Sequence, residues 1–169
     1  MQAVVILETA RTAPDRPAAE NNVRHTAVDY RIRQKPEELD STGYIEIGPG
    51  KYSGKHWQDG FLFVWGDAFG MAEGIITRHF PDYDHFAMND IPKHSGRQIT
   101  AEWRDAATRL HQMDPEQSHA ALNLHASYPL DLDKEMGSHK SEIATMLRSL
   151  AQECDEFYRE EDWICILGM

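Results

Sequence analysis

Phe61-Leu62-Phe63-Val64-Trp65 is the stretch of sequence that decides the fold. It has the length of one strand, and an uninterrupted apolar run of this length leaves neither sheet face polar. We therefore expect it to lie inside a sheet, buried on both faces. A helix is predicted directly after it, capped by Asp67 and ended by Pro81. The residues that repeat there at helical spacing are Ala68, Met71, Ala72, Ile75, Ile76 and His79.

Shorter apolar or alternating runs predict the other strands of the sheet. Residues 4–7 are typical of a short buried strand, and residues 44–47 of a half-buried one. Residues 27–33 alternate in parity, which predicts a further half-buried strand. Trp163–Leu167 predicts a final strand that Gly168 ends.

The second half of the chain predicts three more helices. One carries Ile99, Trp103, Ala106 and Leu110, a shorter one begins at Ser118, and the longest begins near Ser138. The apolar stripe of the longest helix comprises Ile143, Met146, Leu147, Leu150, Cys154 and Phe157. In the earlier helix, Gly70 and Gly74 favour close packing on the sheet. The predicted fold is α/β (α+β), a mainly antiparallel sheet of about four to five strands covered by three or four helices.

Length and composition indicate a single domain over residues 1–169. Of the 169 residues, 41% are hydrophobic and 27% charged, which are ordinary values for a folded domain. Residues 9–24, which include Pro14 and Pro17 and show no clear period, predict a flexible loop. The apolar run at residues 4–7 lacks a basic flank and is too short for a signal peptide or a spanning helix. We therefore expect a cytoplasmic protein.

Net charge is the most informative bulk property. Seventeen Lys and Arg against 28 Asp and Glu give a net charge of −11, which repels phosphate backbones and anionic membranes. Binding to nucleic acid or to a membrane is therefore disfavoured. The same charge suits a partner protein with a basic surface, although an acidic excess can also serve solubility alone.

No motif for nucleophilic or phosphate chemistry is present. Gly-x-Ser-x-Gly does not occur, and the flanking Glu153 and Asp155 should raise the pKa of Cys154. Residues 48–55 are rich in glycine but lack the Lys-Ser or Lys-Thr pair of a phosphate-binding loop. Cys154 and Cys165 are expected to be buried free thiols, with a disulfide left open as the alternative. We expect a protein that is not an enzyme.

A metal site is the main alternative. His79, Asp82, Asp84 and His85 lie close together in sequence and could surround a metal in a small metal-dependent hydrolase. The pair spacing of zinc sites and the glycine and glutamate of a calcium loop are both absent. We therefore predict no metal and no cofactor. A structural or scaffold protein is the third class that remains open.

Acidic and aromatic residues are mixed at predicted surface turns. Such a mixture is typical of protein-binding patches, because aromatics supply buried contact area while acids steer and pair with a basic partner. The residues predicted to bind a partner are Asp82, Tyr83, Asp84, Phe86 and Asp90, together with Asp131 and Asp133 in a second predicted loop.

The order of these elements resembles the small cytoplasmic immunity proteins of bacterial polymorphic and contact-dependent growth inhibition toxin systems. The resemblance comprises the strand at residues 61–65, a helix through Glu73, the turn at residues 81–90, the helix that carries Trp103, and an acidic last helix followed by Trp163–Leu167. It is a resemblance of size, charge and element order. It implies a tight complex with a cognate toxin domain, often a nuclease, whose active site the protein occludes. It implies no catalytic residues.

Overall fold

The computed structural model describes residues 28–124 and 131–168, which form a five-stranded sheet and five α-helices. The strands are β1 (Ile32–Arg33), β2 (Tyr44–Pro49), β3 (Leu62–Trp65), β4 (Met88–Pro92) and β5 (Trp163–Leu167). The helices are α1 (Gly66–His79), α2 (Lys93–Arg109), α3 (Pro115–Leu122), α4 (Leu132–Ser138) and α5 (Lys140–Glu160). Single 3-10 turns occur at Pro36–Glu38 and Leu110–Gln112. The strand predicted at residues 4–7 and the loop predicted at residues 9–24 lie outside the described residues.

All neighbouring strands of the sheet are antiparallel, in the order β1-β3-β2-β5-β4. The predicted α+β class is therefore confirmed, and β3 lies inside the sheet between β1 and β2, as its apolar sequence predicts. One register row crosses all five strands through Arg33, Phe63, Glu46, Leu167 and Met88.

The helices cover one face of the sheet and enclose the main core. Ile45, Ile47, Val64 and Ile166 point into it from the strands and meet the apolar sides of the helices. On α5 the predicted stripe is confirmed for five buried residues: Ile143, Met146, Leu147, Leu150 and Cys154. Phe157 is only half-buried, and its neighbour Tyr158 takes the fully buried position. At the C-terminal end of α5, the buried position is thus one residue later than predicted.

Two helix starts differ from the predicted ones for local reasons. α1 begins at Gly66, so Asp67 lies in the first turn instead of capping the helix. α3 begins at Pro115 behind Asp114, three residues before the predicted Ser118. Asp114 accepts the backbone N–H of Gln117, and the Gln117 side chain accepts the backbone N–H of Asp114. This reciprocal pairing is a capping box and fixes the start of α3.

Two elements lie where turns or loops were predicted. α4 starts at Leu132 with Asp131 as its N-cap, so the predicted loop at residues 131–133 is the beginning of a helix. β4 occupies the end of the predicted turn at residues 81–90. Its Asn, Asp and Pro residues are poor strand formers and are tolerated because β4 is the outer strand of the described sheet. Among the described helices, none is long and apolar enough to cross a membrane.

Candidate functional site

The sheet face opposite the helices is covered mainly by the connection between β2 and β3. Tyr44, Phe61, Phe63, Cys165 and Leu167 form a small buried cluster on this face, separate from the main core. Residues 50–60 fold over it, with Tyr52 packed against the cluster. We call this side of the sheet the loop-covered face.

A buried carboxylate holds that loop in place. Glu46 is only 3% exposed, and its two carboxylate oxygens each have a partner from the loop. His56 Nδ1 lies 2.7 Å from Glu46 Oε1, and the Trp57 backbone N–H donates to Glu46 Oε2 at 2.7 Å. The other ring nitrogen of His56 lies 3.1 Å from the Tyr52 hydroxyl. These partners assign the imidazole proton to Nδ1, which leaves Nε2 to accept from the hydroxyl.

Trp57 has an unusual backbone conformation for a large side chain. Its φ is 56°, in the left-handed region that bulky residues rarely adopt. The hydrogen bond to Glu46 and the stacking of its ring on Phe63, with centroids 5.9 Å apart, hold it there. The indole nevertheless remains 40% exposed. A strained residue kept in place with its ring half in solvent is a candidate for contact with a partner.

The loop is tied to strand β4 on the same face. The Tyr52 backbone N–H donates to Asp90 Oδ1 at 2.9 Å. Asp90 and Met88 both point to the loop-covered face, because Asp90 pairs with Cys165 and Met88 with Leu167. The side chain of Met88 is 59% exposed. The bond between Tyr52 and Asp90 thus joins the loop to the outer strand on this face. We use the name loop–β4 surface for the following residues of the loop, of β4 and of the turn before it: Tyr52, His56, Trp57, Phe86, Met88 and Asp90.

Phe86 projects from a turn whose backbone is fixed by hydrogen bonds. The Phe86 N–H donates to Asp84 Oδ1 at 2.9 Å, and the Ala87 N–H donates to the Asp84 carbonyl at 3.1 Å. The buried Asn89 side chain accepts the Asp84 N–H and donates to the carbonyls of Asp84 and Ala87. Phe86 itself is 74% exposed. The exposed Phe86 therefore extends from a turn whose backbone is ordered.

Two glutamates connect this region to the helices: Glu73 joins the turn to α1, and Glu102 joins the end of α1 to α2. Glu73 Oε1 accepts the Tyr83 hydroxyl and lies 2.5 Å from His85 Nδ1. Glu102 of α2 lies 2.5 Å from His79 Nε2. Of the residues of the alternative metal site, His79, Asp82, Asp84 and His85, three thus have different partners: His79 has Glu102, His85 has Glu73, and Asp84 has the Phe86 N–H. In the described part of the chain, no three His, Cys, Asp or Glu side chains converge as metal ligands would.

The predicted partner-binding residues separate into two regions. Asp82, Asp84 and Phe86 are exposed on one turn, and Asp90 follows in β4. Tyr83 is half-buried with its hydroxyl bound to Glu73, and a role in partner contact stays a prediction. Asp131 is exposed at the start of α4, which packs on α3 and α5. The side chain of Asp133 lies outside the described residues.

The α4 region lies at the other edge of the sheet. The Tyr30 hydroxyl, just before β1, donates to Glu135 Oε2 of α4 at 2.7 Å. β1 and β4 are the opposite outer strands of the described sheet, and four strand spacings amount to roughly 19 Å. The structure therefore does not join Asp131 to the turn that carries Phe86.

A groove of about 780 Å³ lies between α5 and residues 28–34. Its polar lining includes Asp29, Glu142 and His139. The hydrogen bond from the Arg31 side chain holds the pKa of Asp29 at about 2, and Arg33 adds to this effect. Asp29 is therefore ionised and already paired at neutral pH. A carboxylate that is already paired with two arginines is poorly suited to act as a general base. We therefore regard the loop–β4 surface as the stronger candidate site.

Neither cysteine is suited to nucleophilic chemistry. Both are buried free thiols, as the sequence predicts. Burial raises the pKa of Cys154 to about 12, and the negative charge of Glu153 adds to this. Burial likewise raises the pKa of Cys165 to about 11. Because the thiolate is the reactive form, these side chains serve as core residues.

Sequence reasoning missed His56, Trp57 and Met88. The only signal available for Trp57 was an aromatic residue inside a glycine-rich loop, and Met88 would have required the recognition of β4 as an outer strand. Comparison with known proteins found no matching family model, no matching curated protein and no matching solved structure.

Proposed function

We propose that this protein is a bacterial immunity protein that binds a cognate toxin domain with a basic surface and neutralises it by occluding its active site. One observation carries the proposal. Trp57, Phe86 and Met88, the exposed large hydrophobic side chains of the described residues, all belong to the loop–β4 surface. Exposed apolar residues scattered singly need no explanation, but a group on one surface indicates a binding site.

The composition of this surface supports a protein partner. Aromatic residues and methionine are enriched in protein interfaces, and Trp and Tyr are the commonest residues that dominate binding energy. Before binding, the backbone of Phe86 is held by its turn, and Trp57 is held by Glu46 and by stacking on Phe63. Side chains that are ordered beforehand lose less conformational entropy when a complex forms.

Charge supports a basic partner. Asp82 and Asp84 are exposed beside Phe86, and residues 80–92 contain no Lys or Arg. The net charge of −11 extends this bias to the whole chain. Complementary charge accelerates encounter, and many nuclease-type toxins need basic clefts to hold their substrates. In this proposal the protein acts in the cytoplasm, without a cofactor and without contact to nucleic acid or membrane.

The test begins with co-expression of the protein and the toxin domain encoded beside it. The wild-type protein should restore growth of cells that make the toxin, and a mixture of the two purified proteins should form a complex in calorimetry. The double variant Phe86→Ala with Met88→Ala should weaken this complex at least about tenfold, as expected when anchor residues are truncated. Gln152→Ala, an exposed residue on α5, is the matched control and should bind normally. No rescue and no complex with the wild-type protein would refute the proposal.

The acidic residues have a separate kinetic signature. Replacement of Asp82, Asp84 and Asp90 by Asn should slow association mainly at low salt, because exposed charges are screened near physiological ionic strength. Asn can keep the turn intact, since its side-chain oxygen can still accept the backbone N–H groups that Asp84 and Asp90 bind. Surface-plasmon kinetics at two salt concentrations measure the effect. An unchanged association rate would show that these charges do not steer the partner.

A further inference from the structure

The outer edge of β4 presents backbone groups that the described sheet does not use. The Gly168 N–H donates to the Ala87 carbonyl at 2.9 Å, and the Lys93 N–H donates to the Asp162 carbonyl at 2.8 Å. Backbone groups alternate in direction along an antiparallel strand, so those of Asn89 and Ile91 also point toward β5. The N–H and C=O groups of Met88 and Asp90 therefore point away from the sheet. Within residues 28–124 and 131–168, no strand pairs with them.

The side chains along this edge are arranged for an added strand. Met88 and Asp90 face the loop-covered side, whereas Asn89 and Ile91 are buried toward the helices. Exposed Phe86 stands two residues before Met88. A strand laid beside β4 would make backbone hydrogen bonds to Met88 and Asp90. On the loop-covered side, its alternate side chains would contact Met88.

The charges around the outer edge of β4 indicate what kind of strand can bind there. The β4 edge is flanked by Asp82 and Asp84 at one end and by Asp162 at the other, all of them exposed. Lys93, directly after β4, is already paired with Asp162 at 3.2 Å, and Lys51 lies over the ring of Trp163, which pairs with Pro92. A second copy of this acidic chain would place like charges against each other. An acidic residue and proline also protect natural edge strands from self-association, and β4 has both.

We infer that a basic strand of the toxin domain, with apolar residues at alternate positions, adds to the outer edge of β4 through the backbone groups of Met88 and Asp90. Binding by strand addition takes affinity from backbone hydrogen bonds and specificity from alternate side chains. This inference rests on the proposed function and assigns its binding mode. Pro92 has no N–H and ends the usable edge, so the added strand is short.

Backbone and side-chain contributions can be separated at one position. Met88→Ala removes the side chain but keeps the outward N–H, whereas Met88→Pro removes both. The Met88 N–H does not pair with β5, and proline is tolerated on an outer strand, so both variants should keep the fold. Near-ultraviolet circular dichroism checks this. Met88→Pro should bind the toxin domain at least tenfold more weakly than Met88→Ala, and equal affinities would overturn the inference.

Amide hydrogen exchange on the wild-type protein gives a second readout that does not depend on a variant. The Met88 and Asp90 amides should exchange quickly in the free protein and at least tenfold more slowly in the complex, while the Asn89 and Ile91 amides are protected in both states. A complex that forms without protection of Met88 and Asp90 would leave the proposed function standing and refute strand addition. Failure to form a complex would refute both.

Discussion

Gly74 on α1 lies against the end of α3, so close that a Cβ built at Gly74 would be 2.2 Å from the carbonyl oxygen of Leu122. Asn123 reinforces this contact, because its side-chain amide donates to the Gly74 carbonyl at 2.9 Å. The close approach expected from this glycine is therefore directed toward another helix and not toward the sheet. Leu122 is fully buried and its backbone cannot easily yield.

We predict that Gly74→Ala destabilises the protein by at least about 1 kcal/mol. Alanine raises helix propensity by about 1 kcal/mol, but a clash this close to backbone atoms costs more than that. Gly137→Ala is the matched control, since Gly137 lies in α4 and an added Cβ there meets no atom within 4 Å. That control should be neutral or stabilising by up to about 1 kcal/mol. Urea unfolding measures both, and a stabilising Gly74→Ala would show that α3 does not pack as described.

Leu150 tests the phase of α5. Its side chain is fully buried between the helices and the sheet, so Leu150→Ala should lower the free energy of unfolding by about 2–5 kcal/mol. The exposed neighbour Gln152, replaced by Ala, should change it by less than about 0.5 kcal/mol. Chemical denaturation of the two variants makes the comparison. Similar small effects at both positions would contradict the described orientation of the helix.

Glu46 tests how the loop is held. Glu46→Gln keeps the size of the side chain but loses the charge that strengthens its bonds to His56 and Trp57. We expect a loss of about 1–3 kcal/mol in unfolding free energy. In the proposed complex, the same variant should bind the toxin domain more weakly, because the hydrogen bond that fixes Trp57 beside Phe63 is weaker when its acceptor is neutral. Unchanged stability would mean that the buried carboxylate contributes nothing beyond its volume.

The two thiols should be inert in the folded protein. At pH 8 the raised pKa values of Cys154 and Cys165 leave almost no thiolate, and both side chains are at most 1% exposed. Ellman's reagent should therefore detect no thiol in native buffer and two in concentrated urea. Rapid reaction of one thiol in native buffer would indicate local opening around it.

Sequence patterns predicted those strands and helices whose apolar residues show a clear pattern within the element itself. Trp163–Leu167 was predicted with the bounds that the structure has, because a five-residue apolar run between Asp162 and Gly168 has few alternatives. The alternation at residues 27–33 was less informative, since only Ile32–Arg33 pairs with β3 in the described residues. Alternation reports which side chains share a face, but it does not report how far a neighbouring strand extends.

The candidate site was only partly predictable for a related reason. Phe86 and Asp84 were recognised because acids and aromatics mix within one turn. Glu46 lies at an alternating position that normally faces solvent, and it is buried because His56 and Trp57, 10 and 11 residues further along the chain, fold back over it. Such a contact depends on tertiary structure, which strand periodicity does not encode. The exposure of Trp57 and of Met88 likewise depends on tertiary structure.

The position of β5 inside the sheet, between β2 and β4, also bears on how the chain is synthesised and folds. Gly48 and Cys165 face each other across β2 and β5 but are separated by 117 residues in sequence. At a synthesis rate of about 5–20 residues per second, roughly 6–23 s pass between the translation of β2 and that of its second neighbour, β5. Contacts between residues this far apart in sequence slow folding, and until β5 is made one edge of β2 is unpaired and open to aggregation. During synthesis, β2 is thus a segment that a holding chaperone would protect.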